Sequence, residues 1–381
     1  MSDRILVSTR KGLFDVRQIG TRWRIARTSF LGDAVSLAAA DERDGTLYAA
    51  LGLGHYGVKL RASRDGGAHW GEVAAPQFPP RPEGVPEDTL PDGKPWPWRV
   101  EQIWSLEVTP SGIWCGTIGG GLFRSGDGAR SWEFNRALWD HPLRKKWFGG
   151  GAEIPGIHSI SVHPRDRSEV IVGVSCGGVW RTRDAGATWE VTSSGMFADF
   201  MPPDRREDPA IQDPHRVVRC AAQPERMWAQ HHNGFFRSDD SGGRWISIAE
   251  SAPSVFGFAV AAHPSNPDVA WRVPAVKDET RVPVDARVVA SRTRDGGEHW
   301  EEVAAPQFPP RPEGVPEDTL PDGKPWPWRV EQIWALEATP SGMWCGTIGG
   351  GLFRSRDGAR SWEFVRALWE HPWRKKWFGG G

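Results

Sequence analysis

SRDGGAHW (63–70), SGDGARSW (125–132), TRDAGATW (182–189), SDDSGGRW (238–245), TRDGGEHW (293–300) and SRDGARSW (355–362) are six writings of one motif, Ser/Thr-x-Asp-x-Gly-x-x-Trp. In the fourth copy Asp240 holds the Asp slot and Gly242 the Gly slot. The chemistry of such a box is local. A carboxylate accepts backbone N–H groups across a tight turn, glycine permits positive φ, and the tryptophan leads the next strand and packs beneath the turn. Spacings of 62, 57, 56, 55 and 62 residues between copies mark a repeat architecture.

Each box follows two short β-like runs, such as EVIVGVSC then GGVWRTRD, or RMWAQHH then NGFFRSDD. A further run lies earlier in each unit: HSISVHP (158–164), HRVVRCAA (215–222) and FGFAVAAHP (256–264). A unit therefore reads as strands A, B and C, the box, then strand D. The start of the chain, ILVSTRKGLFDVRQIGTRWRIART, fits strands B, C and D with a degraded box ending at Trp23. Seven four-strand units predict an all-β, seven-bladed β-propeller, a single domain over 1–381, with blade one lacking its inner strand.

Composition agrees. The 381 residues carry 45 Gly and 32 Pro, too many turn formers for a helical protein. Charge is balanced, 47 Lys+Arg against 48 Asp+Glu, which argues against a nucleic-acid or membrane-surface partner driven by bulk charge. No apolar run has membrane-spanning length and the N-terminus shows no apolar leader, so the expectation is a cytoplasmic protein. Cys115, Cys176, Cys220 and Cys345 are far apart and fit reduced thiols.

A second repeat is longer. Residues 63–151 recur at 293–381 with ten differences over 89 positions, and the 33 residues from Glu72 to Trp104 match Glu302 to Trp334 without change. The duplication explains much of the count of 23 tryptophans. Seven (Trp23, Trp70, Trp132, Trp189, Trp245, Trp300, Trp362) fall one per unit, and six more recur as copies. Trp96 and Trp98, with copies Trp326 and Trp328, remain as candidates for stacking on a planar ligand.

The boxes resemble the Asp-box (BNR) repeats of sialidase-like propellers. GHYGVKL, PGIHSI, VSCGGVW, IQDPHRV, WAQHHNG and PAVKDE are similar to a bacterial family of YVTN/BNR-like propellers, whose members are often labelled exo-alpha-sialidase or glycosyl hydrolase. The resemblance implies the fold more than the chemistry. Relatives end with a different last blade and a strand that completes blade one. Here the last blade copies the third, and the tail WEHPWRKKWFGGG is a poor strand.

Connections in an antiparallel blade alternate between faces. The boxes share one face with short A–B turns. The opposite face carries the long insertions, 74–102, 137–157, 192–215, 274–286 and 304–332, and sites favour long loops on a rigid scaffold. On that face we place His55, Lys59, His158, His215, His231, His232, Lys277 and Arg281 as ligand-binding candidates, beside Trp96 and Trp98. Residues at the start of strand A lie nearest the channel, which favours His158 and His215 as groups at its mouth.

Catalysis has weaker support. A sialidase needs a tyrosine nucleophile, and of Tyr48 and Tyr56 only Tyr56 lies on the right face. A carboxylate-pair glycosidase would combine Asp278 or Glu279 with Asp213, Glu101 or Glu153. Consecutive strand residues point oppositely, so only one of His231 and His232 would normally reach a given metal; histidines from several blades could converge on one at the channel mouth, but the favoured reading is histidines lining a wet funnel with no metal or cofactor. The box aspartates Asp65, Asp127, Asp184, Asp240, Asp295 and Asp357 are read as structural. The expectation is a propeller binding a small molecule, a glycan or a protein partner on its long-loop face. A glycoside hydrolase acting at the channel mouth and an assembly scaffold stand as the other readings.

Overall fold

The boxes build the frame. A computed structural model describes the chain apart from residues 1–3, 84–87, 91–92, 150–152, 249–252, 287, 311–329, 331, 349 and 372–381. In every box the Asp carboxylate accepts the backbone N–H four residues on, as Asp127 does from Ser131 at 3.0 Å and Asp184 from Thr188 at 2.8 Å. The Ser or Thr hydroxyl donates to that carboxylate and accepts an N–H from inside the loop. Two consecutive residues then stand at positive φ, for example Gly128 at 74° with Ala129 at 64°, and Ala185 at 58° with Gly186 at 94°. This is why each box writes glycine in at least one of two neighbouring slots.

The box tryptophan fastens its blade to the one before. Trp132 Nε1 donates to the Ala74 carbonyl, Trp245 Nε1 to Thr192 and Trp362 Nε1 to Ala304. Arginines on the third strand of a blade return the tie to the next box: Arg181 to the Asp240 and Ser241 carbonyls, Arg237 to Gly296, Arg292 to Gly358. Blade one departs from this scheme. Asp15 takes the arginine slot and pairs with Arg4 and Arg17, while Arg4 and Arg27 together bond the Gly66 carbonyl.

These ties join seven antiparallel sheets into a seven-bladed β-propeller. Among the described residues six sheets have four strands in chain order and the first has three, Arg4–Thr9, Gly12–Ile19 and Arg22–Ser29. Leu13 packs on blade two and Phe14 on blade seven, as Leu122 and Phe123 pack on the blades either side of blade three. The three strands are thus B, C and D. Among the described residues no strand pairs with the inner edge of Arg4–Thr9, and the tail 372–381 lies outside them. Blades one and seven meet instead through side chains, with Phe14 and Trp23 against Trp344, Leu352, Val365 and Leu368. Gln18 adds bonds from Arg354 and Arg356.

The inner strands are Ala34–Ala40, Gln102–Thr109, Ile157–Val162, Pro214–Arg219, Gly257–Ala262 and Ile333–Thr339. Each has a register shift near its first residues. The residues passed over by these bulges are Ser36, Trp104, His158, His215, Phe258 with Ala259, and Trp334. A bulge leaves one residue unpaired and re-aims its side chain, so the propeller carries a ring of re-aimed residues at one end of its inner strands.

Candidate functional site

His215, the bulged residue of blade five, sits at the centre of the best-developed part of that ring. Its Nδ1 lies 2.6 Å from the Gly257 carbonyl, which can only accept, so the proton is on Nδ1 and Nε2 faces inward. Nε2 is 3.5 Å from Asp213 Oδ2. His232, from the turn between the second and third strands of the same blade, brings Nδ1 to 3.4 Å from that oxygen. Its Nε2 is 4.0 Å from Asp278 Oδ2.

Asp213 is buried and firmly held. Its Oδ1 accepts the Cys176 N–H at 2.9 Å, and its own N–H donates to His231 Nε2 at 2.9 Å. Burial alone would push the carboxyl up, but the imidazoles of His215 and His232 and the Cys176 N–H hold it well below the usual carboxylate range. Cys176 presents that N–H from a left-handed backbone, φ 48°, unusual for a residue other than glycine. Burial and the Asp213 charge push its thiol up, so it stays protonated.

Aromatic rings wall the cluster. Phe258 stacks on His215 with centroids 4.7 Å apart and planes at 16°, and Phe256 meets both His215 and His232 edge-on. Phe200 reaches His232 from the loop between blades four and five, and Trp334 of blade seven lies against Phe258. Arg281 crosses the Phe258 ring at 5.4 Å and pairs with Asp278. A small pocket opens behind Phe258, lined by Val273, Ala275, Val282 and Ile333. The result is a polar centre with an apolar rim, in which Phe200, Val276, Val282 and Trp334 are exposed.

The structure sorts the residues singled out from sequence. Asp213, His215, His232, Asp278 and Arg281 come together. Among the residues at the six bulges, His158 occupies blade four's place in the ring, two blades from Phe258. Its Nδ1 bonds Ser159 Oγ and its ring meets Trp104 edge-on. Burial lowers its pKa to about 4, so it is neutral at pH 7. His231 points the other way from His232, as period-two alternation requires, and is a fully buried support behind Asp213.

Lys277 pairs with Glu279 at 3.4 Å. In blade two, Lys59 is tied to Glu72 at 3.1 Å. There His55 lies against Tyr56 on the exposed turn Gly54–Tyr56, and Tyr56 is 71% exposed rather than set in a cleft. Glu101 is paired with Arg99.

Trp96 and Trp98 require a correction. Trp96 is 3% exposed, donates to the Gly119 carbonyl and lies under Arg144. Trp98 donates to Pro79 and packs with Phe78 and Trp139. Both anchor the proline-rich loop, because a proline-rich segment forms few backbone bonds of its own and is held by side chains. Trp326 and Trp328 lie outside the described residues. Phe200, Phe256, Phe258 and Trp334 were not singled out from sequence. The available signal was position, since Phe258 and Trp334 begin inner strands just as His158 and His215 do.

All six box aspartates are tied inside their turns, on the opposite face from this cluster. Among the described residues no helix is long and apolar enough to cross a membrane. No protein-family model and no curated protein matches the sequence. Among solved structures the chain is similar to an ancestral GH74 enzyme, with 16% identity and a TM-score of 0.54 over 86% of this chain and 38% of that one. It is also similar to YCF48 bound to D1 peptide (12% identity, TM-score 0.52, 98% of this chain and 87% of that). YCF48 from Cyanidioschyzon merolae is a further likeness (13%, 0.51, 87% and 84%). The chain thus spans well under half of the GH74 chain. At these identities the likenesses show the fold alone.

Proposed function

We propose that this propeller is a ligand-binding protein whose site is the cluster at the channel mouth of blades five to seven, and that it takes a small polar molecule with one apolar face, such as a sugar. One observation carries the reading. A buried carboxylate and two imidazoles converge behind a wall of aromatic rings at the mouth of the pocket, with Arg281 and Asp278 at the edge. A few fixed polar groups set in an apolar surround are the pattern of small-molecule sites, and stacked rings suit the C–H face of a sugar. A hydrolase acting at the same place would draw on Asp213 and Asp278, which flank His232. The Cys176 N–H holds Asp213 Oδ1 and Arg281 pairs with Asp278, which favours binding over proton transfer.

The test is a glycan and metabolite binding screen on the full chain, run with a chelator present, against wild type, His215→Ala and Phe258→Ala. Ligands that bind wild type should lose at least about tenfold in affinity on either substitution, the value of one stacked ring or one buried polar contact. If His215→Ala bound every ligand as wild type does, the placement would be wrong.

A further inference from the structure

We propose that Asp213, His215 and His232 form a binding site for a divalent transition-metal ion, zinc being the test case, with open coordination positions toward the channel mouth. The inference rests on reading this cluster as the ligand site and adds to it the ion through which a ligand is held.

The first support is donor geometry. Asp213, His215 and His232 each offer one donor atom, and the three lie within 4.8 Å of one another. The two separations from the carboxylate are 3.5 and 3.4 Å. Donors about 2.0–2.1 Å from a tetrahedral zinc stand roughly 3.3–3.4 Å apart. The same distances are long for hydrogen bonds between a carboxylate and an imidazole, which close to about 2.7–2.9 Å when charge-assisted.

The second support is ring orientation. The Gly257 carbonyl, 2.6 Å from His215 Nδ1, engages that nitrogen and leaves Nε2 to face Asp213 Oδ2 at 3.5 Å. An N–H to a backbone carbonyl on the far side of the ring is the usual outer support of a metal-bound histidine. His232 places Nδ1 toward the centre, with Nε2 4.0 Å from Asp278 Oδ2 on the far side of the ring.

The third support is rigidity of the carboxylate. The Cys176 N–H on Oδ1 and the Asp213 N–H on His231 orient Oδ2 inward before any ion arrives. Two imidazoles and one carboxylate, with the remaining positions open, suit zinc or another first-row divalent ion better than magnesium or calcium, which prefer all-oxygen shells.

The experiment uses the full chain, stripped with a chelator and titrated with zinc against a chromophoric competitor. One equivalent should bind saturably. Asp213→Asn and His232→Gln should each weaken binding roughly 100-fold or more, and His299→Ala, in an exposed cluster on the box face, should leave it unchanged. Cobalt in place of zinc should give the d–d bands of a four- or five-coordinate ion with no thiolate charge-transfer band. Long-range 1H–15N spectra of the histidine rings in wild type should show the metal on His215 Nε2 and His232 Nδ1, a readout that stands even if a variant misfolds. No saturable binding, equal affinity in Asp213→Asn and His232→Gln, a thiolate band, or metal on other nitrogens would each overturn the proposal. Should wild type bind a glycan or metabolite in chelator but no zinc, the metal inference fails and the ligand site stands. Should zinc bind and His215→Ala keep every organic ligand, the reverse holds.

Discussion

His158 shows how far one side chain is governed by its place in the ring. Behind Trp104 its ring cannot afford a charge, and burial takes its pKa from the ordinary value of a histidine to about 4. The lowered value sets the sign of its linkage. Between pH 6.5 and 4 the unfolded chain binds a proton that the folded chain does not, so stability falls as the pH drops through this window and is unaffected above it. From pH 7.5 to 5 this one residue should cost about 2 kcal/mol. Urea unfolding at the two pH values should show a loss in wild type larger by that amount than in His158→Gln. Equal losses would mean that the ring is open to water. The box aspartates run in the opposite sense. Asp184, Asp295 and Asp357 are lowered to about 2. Their contribution is complete above about pH 4, the ordinary aspartate value, and is lost as the pH falls toward 2.

The box shows what a short element makes legible. Ser, Asp, the glycine pair and Trp each perform one bond or one backbone angle, so six copies could be read directly as six turns, and their spacing as blades. Two substitutions test the parts. Ser125→Ala removes the acceptor of the buried Ala129 N–H and should cost about 1–3 kcal/mol. Trp245→Phe keeps most of the buried ring but loses the bond to the Thr192 carbonyl of the preceding blade, and should cost about 1–2 kcal/mol. Thermal unfolding checks both, and a Trp245→Phe protein as stable as wild type would remove the inter-blade bond from the account. The cluster was only half legible. His158, His215 and the outward His232 follow from strand starts and from period two. The bulges that re-aim the first residues of every inner strand leave no mark in the sequence, so Phe258 and Trp334 read as ordinary strand residues. Trp96 and Trp98 read as free because nothing in a proline-rich segment shows which rings fold back beneath it.

At the scale of the whole ring, the duplication supplies an internal control. Blades three and seven are near-copies, but blade three faces a complete neighbour and blade seven faces blade one, which has three strands among the described residues. Equivalent residues therefore meet different surroundings. Ser105 donates to the Ile157 carbonyl in the next inner strand, and its counterpart is Ala335. Trp104 meets His158 edge-on, and its counterpart Trp334 is 62% exposed. Gly116 and Gly346 make the comparison sharpest. A Cβ on Gly116 would stand 2.5 Å from the Ile157 carbonyl and 2.4 Å from Ser105 Oγ, whereas on Gly346 its nearest contact would be Ala335 Cβ at 3.6 Å. Gly116→Ala should therefore cost about 3 kcal/mol, the upper range for overpacking against a backbone that cannot yield. Gly346→Ala should stay within about 0.5 kcal/mol of wild type. Both substitutions add the same methyl to the same local sequence, so propensity and unfolded-state effects cancel in the difference. Urea midpoints of the two variants measure it directly. Equal costs would place a strand against Gly346 and give blade one its fourth strand, and a difference of a few kcal/mol would establish the seam between blades seven and one as closed by side chains.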